Sequence, residues 1–269
     1  MGAHGERRPG AAIVLAGGRS SRMGRPKADL DWHGVPLLTR TVAVLGRAVD
    51  GPLVVVRAAG QQLPPCPAWL AGRVEVCDDP VPDLGPLPAI GVGLRAVGDR
   101  AEAAFVASVD LPLLHPAYAA RVLDRIEQHD VVLPKALGHR QPLAAAYRTT
   151  LAPVIADLTA AGEGRPPSLF ARCDVRHLTE DELFADPVLS RLDPQLASLT
   201  NVNTPEEFAA ALALPPPEVT VEEHGAARAA RAATAGALGP VRLADPSVGP
   251  QDPLPPEFPL VTGDVLVPA

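Results

Sequence analysis

The sequence predicts an α/β fold on a doubly wound, mostly parallel sheet, followed by a proline-rich C-terminal appendage. Three observations carry this. Short, continuous apolar runs recur along the first two hundred residues, as strands buried on both faces require. Stretches with helical spacing alternate with them, several opened by a proline. The chemically distinctive residues, a Gly/Ser/Arg-rich loop and Asp110, stand where apolar runs end, which is where ligands sit in such sheets.

Ala11–Ala16 reads as the first buried strand, and the loop Gly17–Arg25 follows it. A helix is expected from about Pro36, with Leu37, Leu38, Val42 and Leu45 on one face. Leu53–Val56 and Arg73–Cys77 read as strands, and Pro86–Val97 as a proline-opened helix. Ala104–Val109 is a further buried strand that ends on Asp110. Helix Pro116–Gln128, strands Val131–Leu133 and Pro142–Tyr147, and helix Leu151–Ala161 continue the alternation. Thr204–Leu214 closes it with an N-cap threonine, proline at the first position and acids in the first turn. The triple proline Pro215–Pro217 marks a boundary between residues 1–214 and 215–269, and the second segment holds 11 of the 32 prolines. Within it Gly225–Leu238 reads as an alanine-rich helix. Every motif used below lies before this boundary, so a chain ending after Leu214 is expected to fold and keep its activity.

Composition narrows the function. With 269 residues, 47% of them hydrophobic, the chain can bury a full α/β core. No apolar run reaches the length of a membrane span, and nothing before Ala11 reads as a signal peptide, so a cytoplasmic location is expected. A formal charge of −7 argues against coating nucleic acid or an anionic membrane. Three scattered cysteines and seven histidines form no metal-ligand spacing.

Against this acidic background, Arg19, Arg22, Arg25 and Lys27 place four cations within nine positions of the glycine loop. Glycines after a buried strand let backbone N–H groups approach phosphate oxygens, and the cations offset phosphate charge. Lysine is rare here, with Lys27 and Lys135 the only two among 24 basic residues, so a compact ammonium is implied where it survives. A Walker A loop is excluded, because Gly24 is not followed by lysine. Gly91-Val92-Gly93-Leu94-Arg95-Ala96 matches a dinucleotide fingerprint on paper, but it falls inside a helix and reads as close packing.

Leu15-Ala16-Gly17-Gly18, then Met23-Gly24 and Lys27, then Ser108-Val109-Asp110-Leu111-Pro112, then Asn201-Val202-Asn203-Thr204-Pro205 resemble the molybdenum cofactor nucleotidyltransferases. The likeness runs over about residues 11–212, in order, and favours the guanylyltransferase branch through Ala16-Gly17-Gly18. It implies a Rossmann-like sheet and Mg²⁺-dependent transfer of GMP from GTP to the phosphate of molybdopterin, releasing pyrophosphate. By the same resemblance Leu15, Ala16, Gly17 and Gly18 meet the nucleotide, Lys27 its phosphates, and Asp78 the nucleotide again. Asp110 holds the Mg²⁺, Asn201 and Asn203 lie near the metal and pterin, and Arg22 joins Lys27 on the triphosphate. Arg57 stands where the family often has asparagine. Transient contact with molybdoenzymes or cofactor-synthesis proteins is implied as well. Cytidylyl transfer to the same pterin, nucleotidyl transfer to another phosphorylated acceptor, and a non-catalytic nucleotide-binding role stay open at this point. Val219–Glu222 and Phe258–Val265 resemble the first and last strands of a small ubiquitin-like sulfur carrier. The stretch Val267-Pro268-Ala269 stands in place of the carrier's Gly-Gly, which implies no thiocarboxylate chemistry there.

Overall fold

The computed structural model describes residues 9–17, 23–81, 83–245, 249–250 and 253–269. After β1 (Ala11–Leu15), a small hairpin of β2 (Asp31–Trp32) and β3 (Val35–Pro36) leads into α1 (Leu37–Ala48). Then come β4 (Leu53–Ala58), β5 (Val74–Asp79), α2 (Pro86–Val97), β6 (Ala103–Ser108) and α3 (Pro116–Asp124). β7 (Val131–Ala136), β8 (His139–Arg140) and β9 (Ala144–Arg148) precede α4 (Ala152–Ala160), α5 (Pro166–Phe170) and β10 (Val175–Thr179). Helices α6 (Glu180–Ala185), α7 (Pro187–Leu192) and α8 (Pro205–Leu212) complete this part.

The main sheet has the order β10-β7-β9-β6-β1-β4-β5, with β8 paired to β7. β5, β4, β1 and β6 are parallel neighbours, and β9 runs antiparallel between β6 and β7. Alternate side chains of β1 face opposite ways and build two cores. Ala12 and Val14 pack with Leu38 and Val42 of α1 and Val122 of α3, while Ile13 and Leu15 pack with Ile90 of α2 and Ile155 of α4. This is the doubly wound arrangement that the apolar runs predict.

The glycines inside α2 serve packing. A Cβ at Gly93 would lie 2.6 Å from Ile13 Cγ2, and one at Gly91 would lie 2.5 Å from Ile155 Cγ2. Bare backbone there lets α2 lie close to the sheet and to α4. Among the described residues no helix is long and apolar enough to cross a membrane.

Beyond α8, β11 (Glu218–Glu223), β12 (Ala226–Arg231), β13 (Val241–Leu243) and β14 (Val265–Pro268) form a second sheet in the order β12-β11-β14-β13. Its first and last strands, β11 and β14, pair in parallel at the centre. Gly225–Leu238 is not a helix. His224 and Gly225 both take positive φ, 52° and 81°, forming a two-residue hairpin turn, and β12 pairs antiparallel with β11. Turn geometry and ladder pairing override the helix propensity of alanine here.

This segment has its own core of Val219, Val221, Phe258, Leu260 and Leu266, with Trp69 of the main part packed against it. Its Val261 joins the larger core. Arg47 of α1 donates to both carboxylate oxygens of Asp264 and to the Pro259 carbonyl, all buried. The guanidinium carbon of Arg47 also lies 5.2 Å from the Phe258 ring centroid.

Candidate nucleotide site

A cavity of about 480 Å³ opens beyond the carboxyl ends of β1, β4, β5 and β6, where parallel strands leave room for a ligand. Leu15, Val56, Ala58, Pro86 and Ala89 give it apolar walls, and Asp79, Asp83 and Ser108 give it polar ones. Gly17 forms part of the wall for a steric reason. A Cβ there would lie 2.9 Å from the Ala58 backbone nitrogen, so only glycine lets the loop leave β1 this close to β4. The Ala16 N–H donates to the Val56 carbonyl at 2.8 Å, and the Ala16 carbonyl accepts from Gln61 Nε2 at 3.2 Å. Gln61 also accepts from the Ala58 N–H through Oε1 at 3.1 Å, tying the ends of β1 and β4 together.

At the other side of the strand ends, three residues far apart in sequence meet. Lys27, in a single 3₁₀ turn, places Nζ 2.9 Å from Asp110 Oδ2 and 2.8 Å from Asn203 Oδ1. Asp110 lies just past β6, two residues after the cavity-lining Ser108 that ends the strand. Asn203 precedes α8, whose start is locked by a Thr204–Glu207 capping box, and the Asn203 N–H itself donates to Glu207 Oε2 at 2.6 Å. The Val202 N–H donates to the Asp110 carbonyl at 3.0 Å, joining the two loops by backbone.

Asp110 Oδ1 is buried and, among the described residues, has no hydrogen-bond partner. An unspent carboxylate oxygen beside a lysine fits a hard divalent cation that takes one or two protein carboxylates and fills its shell with phosphate and water oxygens. Among the described residues there is no group of three or more His, Cys, Asp or Glu that could hold a metal ion.

Not every predicted site residue is gathered here. Asn201 turns back on its own loop, with Nδ2 donating to the Leu199 carbonyl at 3.3 Å. Gly18 and Arg22 lie outside the described residues. Asp78 does not line the cavity: it stands opposite Arg57 across β4 and β5, and Arg57 Nε donates to its Oδ1 at 2.8 Å. Alternation puts its neighbour Asp79, opposite Ala58, on the cavity side instead. The acid of this wall is therefore Asp79, joined by Asp83. The signal was the two-residue strand period, with Arg57 and Asp78 on one face and Ala58 and Asp79 on the other. Asp83 carried no motif of its own, and Ser108 stood only as the first residue of the stretch Ser108–Pro112.

The family model for the MobA-like NTP transferase domain matches residues 12–178. The chain belongs to that family. A probable molybdenum cofactor guanylyltransferase of Mycobacterium tuberculosis is 42% identical over 171 residues, 62% of this chain and 81% of the relative. One from Mycobacterium ulcerans is 37% identical over 205 residues, 74% of this chain and 92% of the relative. In fold, the chain is similar to molybdopterin-guanine dinucleotide biosynthesis protein A from Archaeoglobus fulgidus, with TM-score 0.60, 23% identity, and 75% and 96% of the two chains covered. A Thermus thermophilus 2-C-methyl-D-erythritol 4-phosphate cytidylyltransferase has the same architecture at TM-score 0.54 and 17% identity, over 76% and 98% of the chains. As in the family, the protein is a nucleotidyltransferase, and its matched region carries β1, the cavity, Lys27 and Asp110.

Proposed function

We propose that the protein transfers GMP from GTP to the phosphate of molybdopterin with Mg²⁺, releasing pyrophosphate. The observation that carries this reading is the meeting of Lys27, Asp110 and Asn203 beside an acid-lined cavity. The Watson–Crick edge of guanine presents two donor groups, N1–H and N2–H₂, which a carboxylate accepts together. Asp79 and Asp83 supply such acceptors, whereas cytosine offers one donor group and two acceptors on the same edge. This favours GTP over CTP, as do the curated relatives named guanylyltransferases.

In the reaction an oxygen of the acceptor phosphate attacks the α-phosphorus, the bond from that phosphorus to the bridging oxygen breaks, and pyrophosphate leaves. The attacking oxygen is already ionised, so no side chain has to remove a proton. What the reaction needs is the alignment of two anions and cover for their charge. Asp110 would hold the divalent cation through its unspent oxygen, and the cation supplies charge neutralisation on the phosphates. Lys27 would turn its ammonium from Asp110 toward the phosphates and the departing pyrophosphate, while its bond to Asn203 Oδ1 keeps that ammonium in reach. Gly17 and Leu15 set the floor against which the nucleoside lies. Arg22 adds charge to the same loop. Delivery of the product would bring transient contact with molybdoenzymes or cofactor-synthesis proteins.

The test is pyrophosphate release from GTP, CTP or ATP with Mg²⁺ and molybdopterin, alongside binding titrations of each nucleotide. A clear GTP preference in both is expected. Preference for CTP, or tight binding without release, would overturn the reading.

A further inference from the structure

Contacts from elsewhere in the chain tie down the short segment between Asp110 and His115. The Asp110 carbonyl accepts from the Val202 N–H at 3.0 Å, and the Pro112 carbonyl accepts from Arg40 Nε at 2.9 Å. The His115 N–H donates to Ser198 Oγ at 3.0 Å, and the ring Nε2 lies 3.0 Å from the Thr262 carbonyl. The other ring nitrogen, Nδ1, accepts from the Ala117 N–H at 3.1 Å and caps α3. Since a carbonyl can only accept, these two bonds put the ring proton on Nε2.

One of these ties, from His115 to Thr262, leads into the C-terminal segment, which lies outside the region that the family model matches. Thr262 is part of it. So is Asp264, the buried counter-charge of Arg47, two turns along α1 from Arg40 and on the same face. Burial pulls the Arg40 pKa down to about 10, Arg47 adds to that, and Asp264 opposes both. Arg40 also sits over Trp32, with its guanidinium carbon 5.9 Å from the ring centroid. Thus Thr262 meets His115 directly, Asp264 is paired with Arg47 and acts on the Arg40 charge, and Arg40 and His115 are both fastened to the segment that follows Asp110.

We propose that the Pro259–Asp264 segment braces the loop bearing Asp110, with His115 and Arg40 as positioning residues that hold this carboxylate for the metal and phosphates. The role assigned to Asp110 rests on the proposed function; the mechanical coupling does not. If this holds, the C-terminal segment is part of the working enzyme although none of its described residues lines the cavity.

Two substitutions at His115 separate the brace from the helix cap. His115→Asn keeps an oxygen where Nδ1 caps α3 and loses the donor to Thr262, while His115→Gln keeps a donor near Nε2 and loses the cap. Hydrogen exchange of the full-length protein reads the coupling without any substrate. His115→Asn and Asp264→Asn should each speed exchange in peptides covering residues 109–115 roughly tenfold, with β1 and β4 unchanged. His115→Gln should leave that loop near wild type. In turnover assays, His115→Asn should raise the Mg²⁺ needed for half-maximal rate several-fold while GTP binding without metal stays constant. Faster exchange confined to residues 258–268, or equal effects of the Asn and Gln variants, would overturn the brace. A wild-type protein inactive with GTP and Mg²⁺ would overturn the proposed function instead, and the exchange result would still decide the coupling.

Discussion

Replacing Lys27 by alanine tests the centre of the site. Its ammonium stands 2.9 Å from Asp110 Oδ2 and 2.8 Å from Asn203 Oδ1, so it is already held where phosphate charge must arrive. Removing one preorganised group that stabilises charge in the transition state costs about 10²–10³ in rate, or about 3–4 kcal/mol. The fold should lose far less. The two side chains keep 17% and 14% of their surface, and ion pairs open to solvent are worth about 0–1 kcal/mol. In a chain of this size that is a Tm change of about 4 °C or less. Pyrophosphate release at saturating GTP and Mg²⁺, followed beside a melting curve, separates the two effects. Lys27→Arg is expected to fail too, because a planar guanidinium cannot place one compact charge between the two oxygens that Nζ touches. If Lys27→Ala turned over within threefold of wild type with an unchanged Tm, Lys27 would have no part in catalysis, and the site would have to be sought elsewhere along the strand ends.

Asp110→Asn should preserve shape but raise the Mg²⁺ requirement at least tenfold, measured as the metal midpoint of turnover, with little change in Tm. Gly17→Ala forces a methyl to 2.9 Å from the Ala58 nitrogen, a clash that costs about 1–3 kcal/mol, and calorimetric titration should find GTP binding about tenfold weaker or worse. Asp79→Asn should erode the preference for GTP over CTP in competition binding, while Asp78→Asn, which only breaks the exposed pair with Arg57, should leave it intact. Truncation after Leu214 uncovers Trp69 and Arg47 and removes Val261 from the main core. Thermal melts should show it less stable by about 10 °C or more, or aggregated, contrary to what the position of the motifs alone implies.

The strand alternation was legible because it has a local signature, and so have Lys27 and Asp110, which the fold brings together. A strand buried on both faces must be apolar throughout, as Ala11–Leu15 is, and a glycine must sit where backbone approaches backbone, as Gly17 does against β4. Asp78 stands off the cavity for a reason no local pattern shows: a pair of acids at a strand end looks symmetrical in one dimension, whereas the pleat sends them to opposite faces and the partner strand decides which meets the cavity. The hairpin at His224-Gly225 was hidden for a related reason. Alanine is the best helix former in isolation, and only pairing with β11, set by residues up to thirteen positions away, makes Ala226–Arg231 a strand.

The C-terminal segment marks the deeper limit. Its proline content and lack of motifs read as a detachable tail, because sequence reports composition and not contact. Among the contacts that bind it to the rest, with Val261 in the larger core and Trp69 against its own, the charged one is an aspartate. Asp264 is fully buried against Arg47, and a buried carboxylate is stable only with its partner in place. Neither residue is unusual in its own neighbourhood, and they lie far apart in the chain. Their pairing, with the His115–Thr262 contact beside it, is what the proposed brace of the Asp110 loop rests on, in a segment outside the matched family region. The residues that meet at the candidate site therefore carry local motifs, while the contacts around them do not, since those depend on long-range pairs of ordinary residues.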